Sequence, residues 1–419
     1  MTARRADGLA GQWRHGDGVS RVGKGGLGDG QTVGWLKKWW DPLKSKPHLV
    51  STPPNPRTSI SDCEASMSRT GALHLASGLG GMIGKEQVKS AVQQYEKYHD
   101  LHGGEAKSRA SKYADVANKY YDLVTSFYEY GWGESFHFAN RWEGETLRES
   151  IKRYEHYIAL QLGLTEGMEV LDVGCGIGGP LREIARFSAA SVTGLNNNEY
   201  QITRGQELIS SAGLSKRCNF VKGDFMDMPF PDDFFDAAYA IEATCHAPDA
   251  VGCYKEINRV LRPGQPMAFY EWCMTDRFDP GNPRHANAKA EIELGNGLTD
   301  IRTTVQCLQA VKDAGFEVMC AKDVAEESAV PWYQPLDPNA GASWTSANGF
   351  RLSRVGRFVT RAMVKAMERL GVAPEGSVRV SGLMETAGEG LVKGGREGIF
   401  TPMFFVLARK KSNLSTQDV

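Results

Sequence analysis

No stretch of this chain is apolar over the roughly 18 residues that span a bilayer, and its N-terminus lacks the compact apolar core of a signal peptide. Any membrane association is therefore expected to be peripheral. Net charge is nearly absent: 49 Lys and Arg balance 50 Asp and Glu, leaving a formal charge of -1. That balance speaks against a general nucleic-acid binder. The eight cysteines are scattered, with no C-x-x-C pair to make a metal ribbon or redox site. They are read as reduced and intracellular, and no metal is expected.

What is present centres on Val170 to Pro180, which reads Val-Leu-Asp-Val-Gly-Cys-Gly-Ile-Gly-Gly-Pro. Glu169 to Val173 has the pattern of a short buried strand, Gly174, Gly176 and Gly178 follow at every second place, and Leu181 to Phe187 has helical spacing. Glycines without a Cβ let such a turn pass close beneath a ligand, and the free amides of the following helix favour an anionic group. Gly174, Gly176 and Gly179 also satisfy the G-x-G-x-x-G pattern of dinucleotide sites, and the same glycines would serve a simple packing turn. Another absence decides between cofactors. Where a dehydrogenase carries its ribose-binding acid, this chain has Asn196-Asn197-Asn198, while an acid, Asp172, sits inside the strand before the glycines. Together these favour S-adenosylmethionine over NAD.

A length of 419 residues allows one large domain with extensions, or two domains. Residues 1–84 are rich in Gly, Ser and Pro and read as a mostly disordered extension. Within it Trp35, Leu36, Trp39, Trp40 and Leu43 share one helical face opposite Lys37, Lys38 and Lys44, a pattern that suits a membrane interface or packing on the domain. Residues 85–165 form a helical cap, with helices at Lys85 to His102, Glu105 to Phe127 and Thr146 to Leu162. Between the last two lies the densest aromatic stretch, including Tyr128, Tyr130, Trp132, Phe136 and Phe138, read as a loop broken by Gly131 and Gly133. Such a stretch is usually core. Here Glu129, Glu134 and His137 alternate with the rings, and a pure core seldom tolerates three ionisable groups, so a ligand pocket is expected.

Residues 166–280 read as the cofactor-binding core, with strands at Ala190 to Leu195, Cys218 to Lys222, Phe235 to Ile241 and Pro266 to Tyr270 alternating with helices. Alternation of this kind implies a mainly parallel α/β sheet with ligands at the carboxyl ends of its strands. Asp224, Glu242, His246 and Glu271 are expected there. In the C-terminal region, 281–410, Phe350 to Leu370 is amphipathic, with Arg351, Arg354, Arg357, Arg361, Lys365 and Arg369 in one stripe and Leu352, Val355, Val359, Met363 and Met367 opposite. That stripe is either a solvated face or a contact with anionic lipid. Phe400 to Lys410 closes as a strand, and 411–419 is a tail.

With these residues assembled, the chain from about Gln93 to Lys410 resembles the sterol 24-C-methyltransferases, of the class I S-adenosylmethionine-dependent type. The resemblance rests on Tyr128-Glu129-Tyr130-Gly131-Trp132-Gly133 with Ser135-Phe136-His137-Phe138, on Leu171 to Gly176, and on Gly194 to Asn198. Gly223-Asp224-Phe225, Ile241 to Thr244 and Gly398 to Met403 complete it. It implies a Rossmann-like fold carrying an N-terminal helical cap and a C-terminal sterol-methyltransferase region. It also implies a delta-24 sterol substrate such as cycloartenol or zymosterol, methylated at carbon 24 through a carbocation and then deprotonated. The cofactor set it implies is Asp172, Gly174, Cys175, Gly176, Gly178, Asn196, Asn197, Gln201, Asp224, Phe225 and Glu242. Tyr128, Glu129, Tyr130, Trp132, Glu134, His137, Glu242 and Glu271 are the candidates for chemistry. Tyr130 and Trp132 are read as the rings facing the cation, and the base is left open among the acids and His137. The cytosolic face of the endoplasmic reticulum, with peripheral membrane contact, is the implied location, and an oligomer is left open. A tocopherol-type methyltransferase on the same fold and a non-catalytic sterol or lipid carrier are the competing readings.

Overall fold

The computed structural model describes residues 71–99, 106–337, 350–351 and 353–412. The tryptophan helix expected at Trp35 to Leu43 and most of the N-terminal extension lie outside them, as do Leu352, the end of the first cap helix and the tail beyond 412.

A seven-stranded sheet forms the centre, in the order β3-β2-β1-β4-β5-β7-β6. The strands are β1 (Glu169–Val173), β2 (Ser191–Asn196), β3 (Cys218–Lys222), β4 (Ala237–Ile241), β5 (Pro266–Met274), β6 (Phe316–Asp323) and β7 (Phe400–Lys410). The first five run parallel, and β7 inserts antiparallel between β5 and β6. Val170, Leu171, Val173, Ala238 and Phe269 are fully buried, as a sheet covered by helices on both faces demands. The order reverses at β1 and β4, where a crevice opens at the strands' carboxyl ends.

Twelve helices of the described residues clothe this sheet or extend it: α1 (Ala72–Gly78), α2 (Val88–Tyr98), α3 (Ala106–Ser111), α4 (Tyr113–Gly131), α5 (Leu147–Gln161) and α6 (Gly179–Ser188). Then come α7 (Glu199–Ser211), α8 (Ala250–Val260), α9 (Pro283–Asn296), α10 (Thr304–Asp313), α11 (Arg354–Arg369) and α12 (Ser377–Glu397). Thr146 caps α5 with a reciprocal Thr-Glu box, and Asn198 caps α7 by accepting from the Gln201 amide. Leu75, Val92, Tyr95, Tyr120, Leu123 and Val380 bind the cap helices and α12 into one buried cluster.

Several elements depart from the sequence reading. α1, with Leu75 buried, lies within the extension read as mostly disordered, and the helix expected from Glu105 to Phe127 is broken at Lys112 into α3 and α4. The expected aromatic loop begins later, because α4 continues through Tyr128, Glu129, Tyr130 and Gly131, and Trp132 and Gly133 close it by donating to the Tyr128 carbonyl. A glycine in the last turn costs a helix little, and the buried face of Tyr120, Leu123, Val124 and Phe127 holds it. β5 runs four residues past Tyr270, since β7 pairs with Cys273 and Met274 through Thr401 and Phe400. Glu271 is therefore inside a strand, not at its end.

Candidate functional site

Two cavities meet at the carboxyl end of the sheet. The first, of about 930 Å³, lies over the glycine turn and is lined by Asp172, Gly174, Cys175, Gly176, Asn196 and Asn197, with Gln201, Asp224, Phe225 and Glu242 completing its wall. Gly174 and Gly176 have φ of +76° and +55°, the left-handed region that favours glycine. A Cβ on Gly176 would find only Phe136 Cδ2, at 3.9 Å, so the space above this glycine belongs to whatever the cavity holds. Gly178 differs. It caps α6 with φ +74°, and a Cβ there would strike the Phe220 ring, so it serves packing and does not line the cavity.

The polar wall is held in advance. Asn196 donates to the Gly176 carbonyl at 3.3 Å and to Gln201 Oε1 at 2.8 Å, while Gln201 donates to Thr125 at 3.0 Å. Asp224 accepts from the Met226 amide at 2.8 Å and from the Tyr113 hydroxyl. Asp172 accepts from the Tyr239 hydroxyl at 3.0 Å, and burial pushes its pKa up to about 7. A cradle of left-handed glycines beside carboxylate and amide groups fits an adenosyl amino acid, whose sulfonium supplies an electrophilic methyl.

The second cavity, of about 1040 Å³, is walled by rings: Phe127, Tyr128, Tyr130, Trp132, Phe138 and Trp272. Tyr128 stacks on Phe136 with centroids 5.2 Å apart, and Trp132 meets Phe138 edge-on. Arg351 lies 4.1 Å over the Tyr130 ring and donates to the Tyr130 carbonyl, so one face of that ring is already occupied by a cation. The far wall comes from α12, through Ser381, Met384, Gly388 and Leu391.

Phe136, His137 and Glu242 line both cavities and mark their junction. Glu242 has φ +55°, uncommon for a residue with a Cβ, at the turn that ends β4. Its oxygens accept from the Phe138 amide at 2.7 Å and the Trp272 indole at 2.8 Å. Burial raises its pKa to about 7. His137 is held by the Phe138 carbonyl and by Glu155 at 3.1 Å. Burial alone would lower its pKa, but the Glu155 hydrogen bond and charge outweigh that and the net direction is up. Its two ring nitrogens face two acceptors, the Phe138 carbonyl and the Glu155 carboxylate.

Two of the proposed acids line neither cavity. Glu129 points the other way and pairs with Arg204, at 2.7 Å, both side chains buried. Glu271 accepts from Thr244 at 2.5 Å and from the Trp272 amide at 2.8 Å, with Arg302 at 3.9 Å. Glu134 reaches the first cavity while pairing with Arg182. A test of the Glu129 position is its removal: Glu129→Ala takes from the buried Arg204 its buried carboxylate partner, and should cost about 3 kcal/mol of stability. Denaturant unfolding reads this. Unchanged stability with lost turnover would return Glu129 to the chemistry.

The sequence reading missed most of one wall of the first cavity. Tyr113, Ala117, Asn118 and Tyr121 reach it from one face of α4, at a helical spacing that periodicity alone could have flagged. His246, buried and held down to about 4 by that burial, accepts from the Tyr121 hydroxyl at 2.9 Å and donates to the Gly297 carbonyl. Among the described residues no group of His, Cys, Asp or Glu could hold a metal ion, no cysteine is paired, and no helix is long and apolar enough to cross a membrane.

Comparison with known proteins gives the arrangement its context. The family described as Sterol methyltransferase C-terminal matches residues 347–411, and that described as Methyltransferase domain matches residues 171–269. The chain is 69% identical over 344 residues to a cycloartenol-C-24-methyltransferase 1 of Oryza sativa subsp. japonica, covering 82% of this chain and 99% of that one. It is 66% identical to a cycloartenol-C-24-methyltransferase of Arabidopsis thaliana, over 81% of this chain and 99% of that one. Identity is 46% to the sterol 24-C-methyltransferase ERG6 of Saccharomyces cerevisiae, over 81% and 91% of the two chains. Among solved structures, mycolic acid cyclopropane synthase CmaA1 complexed with SAH and CTAB has the same fold, with TM-score 0.56 at 17% identity over 71% of this chain and 98% of that one. Taken with the glycine cradle and the adjoining aromatic cavity, these likenesses mean that the chain belongs to the sterol 24-C-methyltransferase family of S-adenosylmethionine-dependent enzymes.

Proposed function

We propose that this enzyme methylates carbon 24 of cycloartenol or a closely similar delta-24 sterol, through a carbocation formed where its two cavities meet. The observation that carries the reading is the shared wall of Phe136, His137 and Glu242, which puts a polar cradle and a ring-lined chamber within reach of one reacting centre. The side-chain alkene attacks the sulfonium methyl, a C–C bond forms as the S–C bond breaks, and positive charge passes to the neighbouring carbon. Loss of a proton from an adjacent carbon then restores a double bond.

Each residue has a defined task in this scheme. The cradle of Gly174 and Gly176 and the side chains of Asn196, Gln201 and Asp224 bind and orient the methyl donor. Rings exclude water and lend their π faces to the cation, an interaction worth roughly 2 kcal/mol or more when desolvated. Glu242 accepts the departing proton, because it stands at the junction and has a pKa near neutrality. His137 has both ring nitrogens engaged, by the Phe138 carbonyl and by Glu155, and so orients the junction.

Phe136 is the ring that lines both cavities, whereas Tyr130 lines the second alone and has one face covered by Arg351. Phe136→Leu should lower kcat about tenfold at saturating substrates, equivalent to about 1.4 kcal/mol of transition-state stabilisation. Tyr130→Leu should do less. Equal rates in the two variants would move the cation away from Phe136.

Substrate choice is supported by the relatives named for cycloartenol, at 69% and 66% identity, against 46% for the yeast enzyme. The test is incubation with methyl-labelled S-adenosylmethionine and a panel of side-chain-unsaturated sterols plus a tocopherol-type phenol, with products identified by mass spectrometry. Label at carbon 24 of cycloartenol, in preference to zymosterol, is expected. Label on the phenol alone, or on no acceptor, would overturn the reading.

A further inference from the structure

The helix α11 has two faces of different character. Inward, Thr360 and Arg357 reach the wall of the ring-lined cavity, and Val364 is fully buried in the cluster with the cap helices. Outward, apolar side chains stand in water: Phe358 is 73% exposed, Val355 50% and Val359 47%, and Leu370 at the helix end is 77% exposed. At 100° per residue these lie beside Arg354, Arg361, Lys365 and Arg369, all exposed, with Phe358 among the cations. The helix has one acid, Glu368, and that side chain is partly buried and accepts from the Val378 amide at 2.8 Å. Of the cations, Arg361 meets Glu385 of α12 at 3.1 Å, across a surface where both are solvated. Soluble helices seldom leave a phenylalanine and two valines exposed together on a face that carries no acid.

We propose that this outer face of α11 docks the enzyme onto an anionic bilayer surface, with Phe358, Val355 and Val359 entering the interface and Arg361, Lys365 and Arg369 meeting lipid phosphates. Cations flanking an apolar stripe are the arrangement that recognises anionic lipid, whereas a protein partner would need matching acids. The same helix then presents its inner face to the cavity that the proposed function assigns to the sterol, so that the chamber is held against the phase in which a sterol dissolves. The surface itself is read from the helix and stands apart from the identity of the substrate.

The test is flotation of the full chain with vesicles of phosphatidylcholine alone or mixed with phosphatidylserine, with no sterol or methyl donor added. The wild type should float with the anionic vesicles, less with neutral ones and less at high salt. Phe358→Asp with Val359→Asp should cut binding at least tenfold while turnover of detergent-solubilised sterol changes less than twofold. A charge variant, Arg361→Glu with Lys365→Glu, should lose the preference for phosphatidylserine. Flotation of both variants equal to wild type would overturn the proposal, as would loss of flotation only on replacing Trp35, Trp39 and Trp40. Sedimentation showing a dimer that Phe358→Asp dissociates, with flotation unchanged, would assign the face to a second copy of the chain instead.

Discussion

Gly176→Val should abolish S-adenosylmethionine binding while leaving the protein folded. Gly176 has φ +55°, and the nearest protein atom to a Cβ built there is Phe136 Cδ2 at 3.9 Å. The protein itself does not exclude a side chain from this position, so the loss must come from filling the space a ligand needs. Valine places two methyl groups in that space and adds strain of about 1 to 2 kcal/mol from the left-handed backbone. Alanine carries the same strain with far less bulk, so Gly176→Ala separates the two effects. Calorimetry should find no binding for the valine variant, a modest loss for alanine, and similar melting temperatures for both. Wild-type affinity in the valine variant would contradict the placement of the donor over this turn.

Glu242→Gln should lower kcat by roughly a hundredfold, the lower range for loss of a positioned acid or base. The amide keeps the shape of the carboxylate. It loses the ability to take a proton, and it sets an N–H against either the Phe138 amide or the Trp272 indole, both donors. The pH profile gives the sharper reading. Burial raises the Glu242 pKa to about 7, so its basic form appears as pH rises through that value and the wild-type kcat should rise with it. The stability contribution runs the other way. A carboxyl raised in the folded state contributes most when protonated, below its ordinary value, and that contribution is lost as pH climbs through about 7. Asp172, also raised by burial to about 7, faces the donor cavity. The comparison is therefore of kcat at saturating S-adenosylmethionine, where the rising limb should vanish in Glu242→Gln. A limb that survives in the variant belongs to another group.

Much of this was legible in the residues. β1 and β3 coincide with the stretches Glu169 to Val173 and Cys218 to Lys222, β1 because its apolar residues are buried in the middle of a parallel sheet and β3 as an edge strand that buries only Cys218. The glycine turn announced its cavity since left-handed backbone has few other occupants. Glu271 was misplaced for a reason no local pattern carries: the strand continues because β7, some 130 residues away in sequence, supplies hydrogen bonds to Cys273 and Met274. Glu129 and Arg204 are likewise 75 residues apart, and alternation of acids with rings does not reveal which way an acid turns. The wall formed by α11 and α12 was invisible for a related cause. Ser381, Met384, Gly388 and Leu391 are small or flexible residues whose significance comes only from what stands opposite them.

A structure of the enzyme with S-adenosylhomocysteine and cycloartenol bound together tests the central claim most directly. The account predicts the sulfur over Gly174 to Gly176 and the sterol among the rings of Tyr128, Phe138 and Trp272. Carbon 24 should lie at the junction of Phe136, His137 and Glu242, close enough that a methyl group placed on the sulfur would come within roughly 3 to 3.5 Å of it. A sterol bound outside the ring-lined cavity, or one whose side chain points away from Glu242, would contradict it.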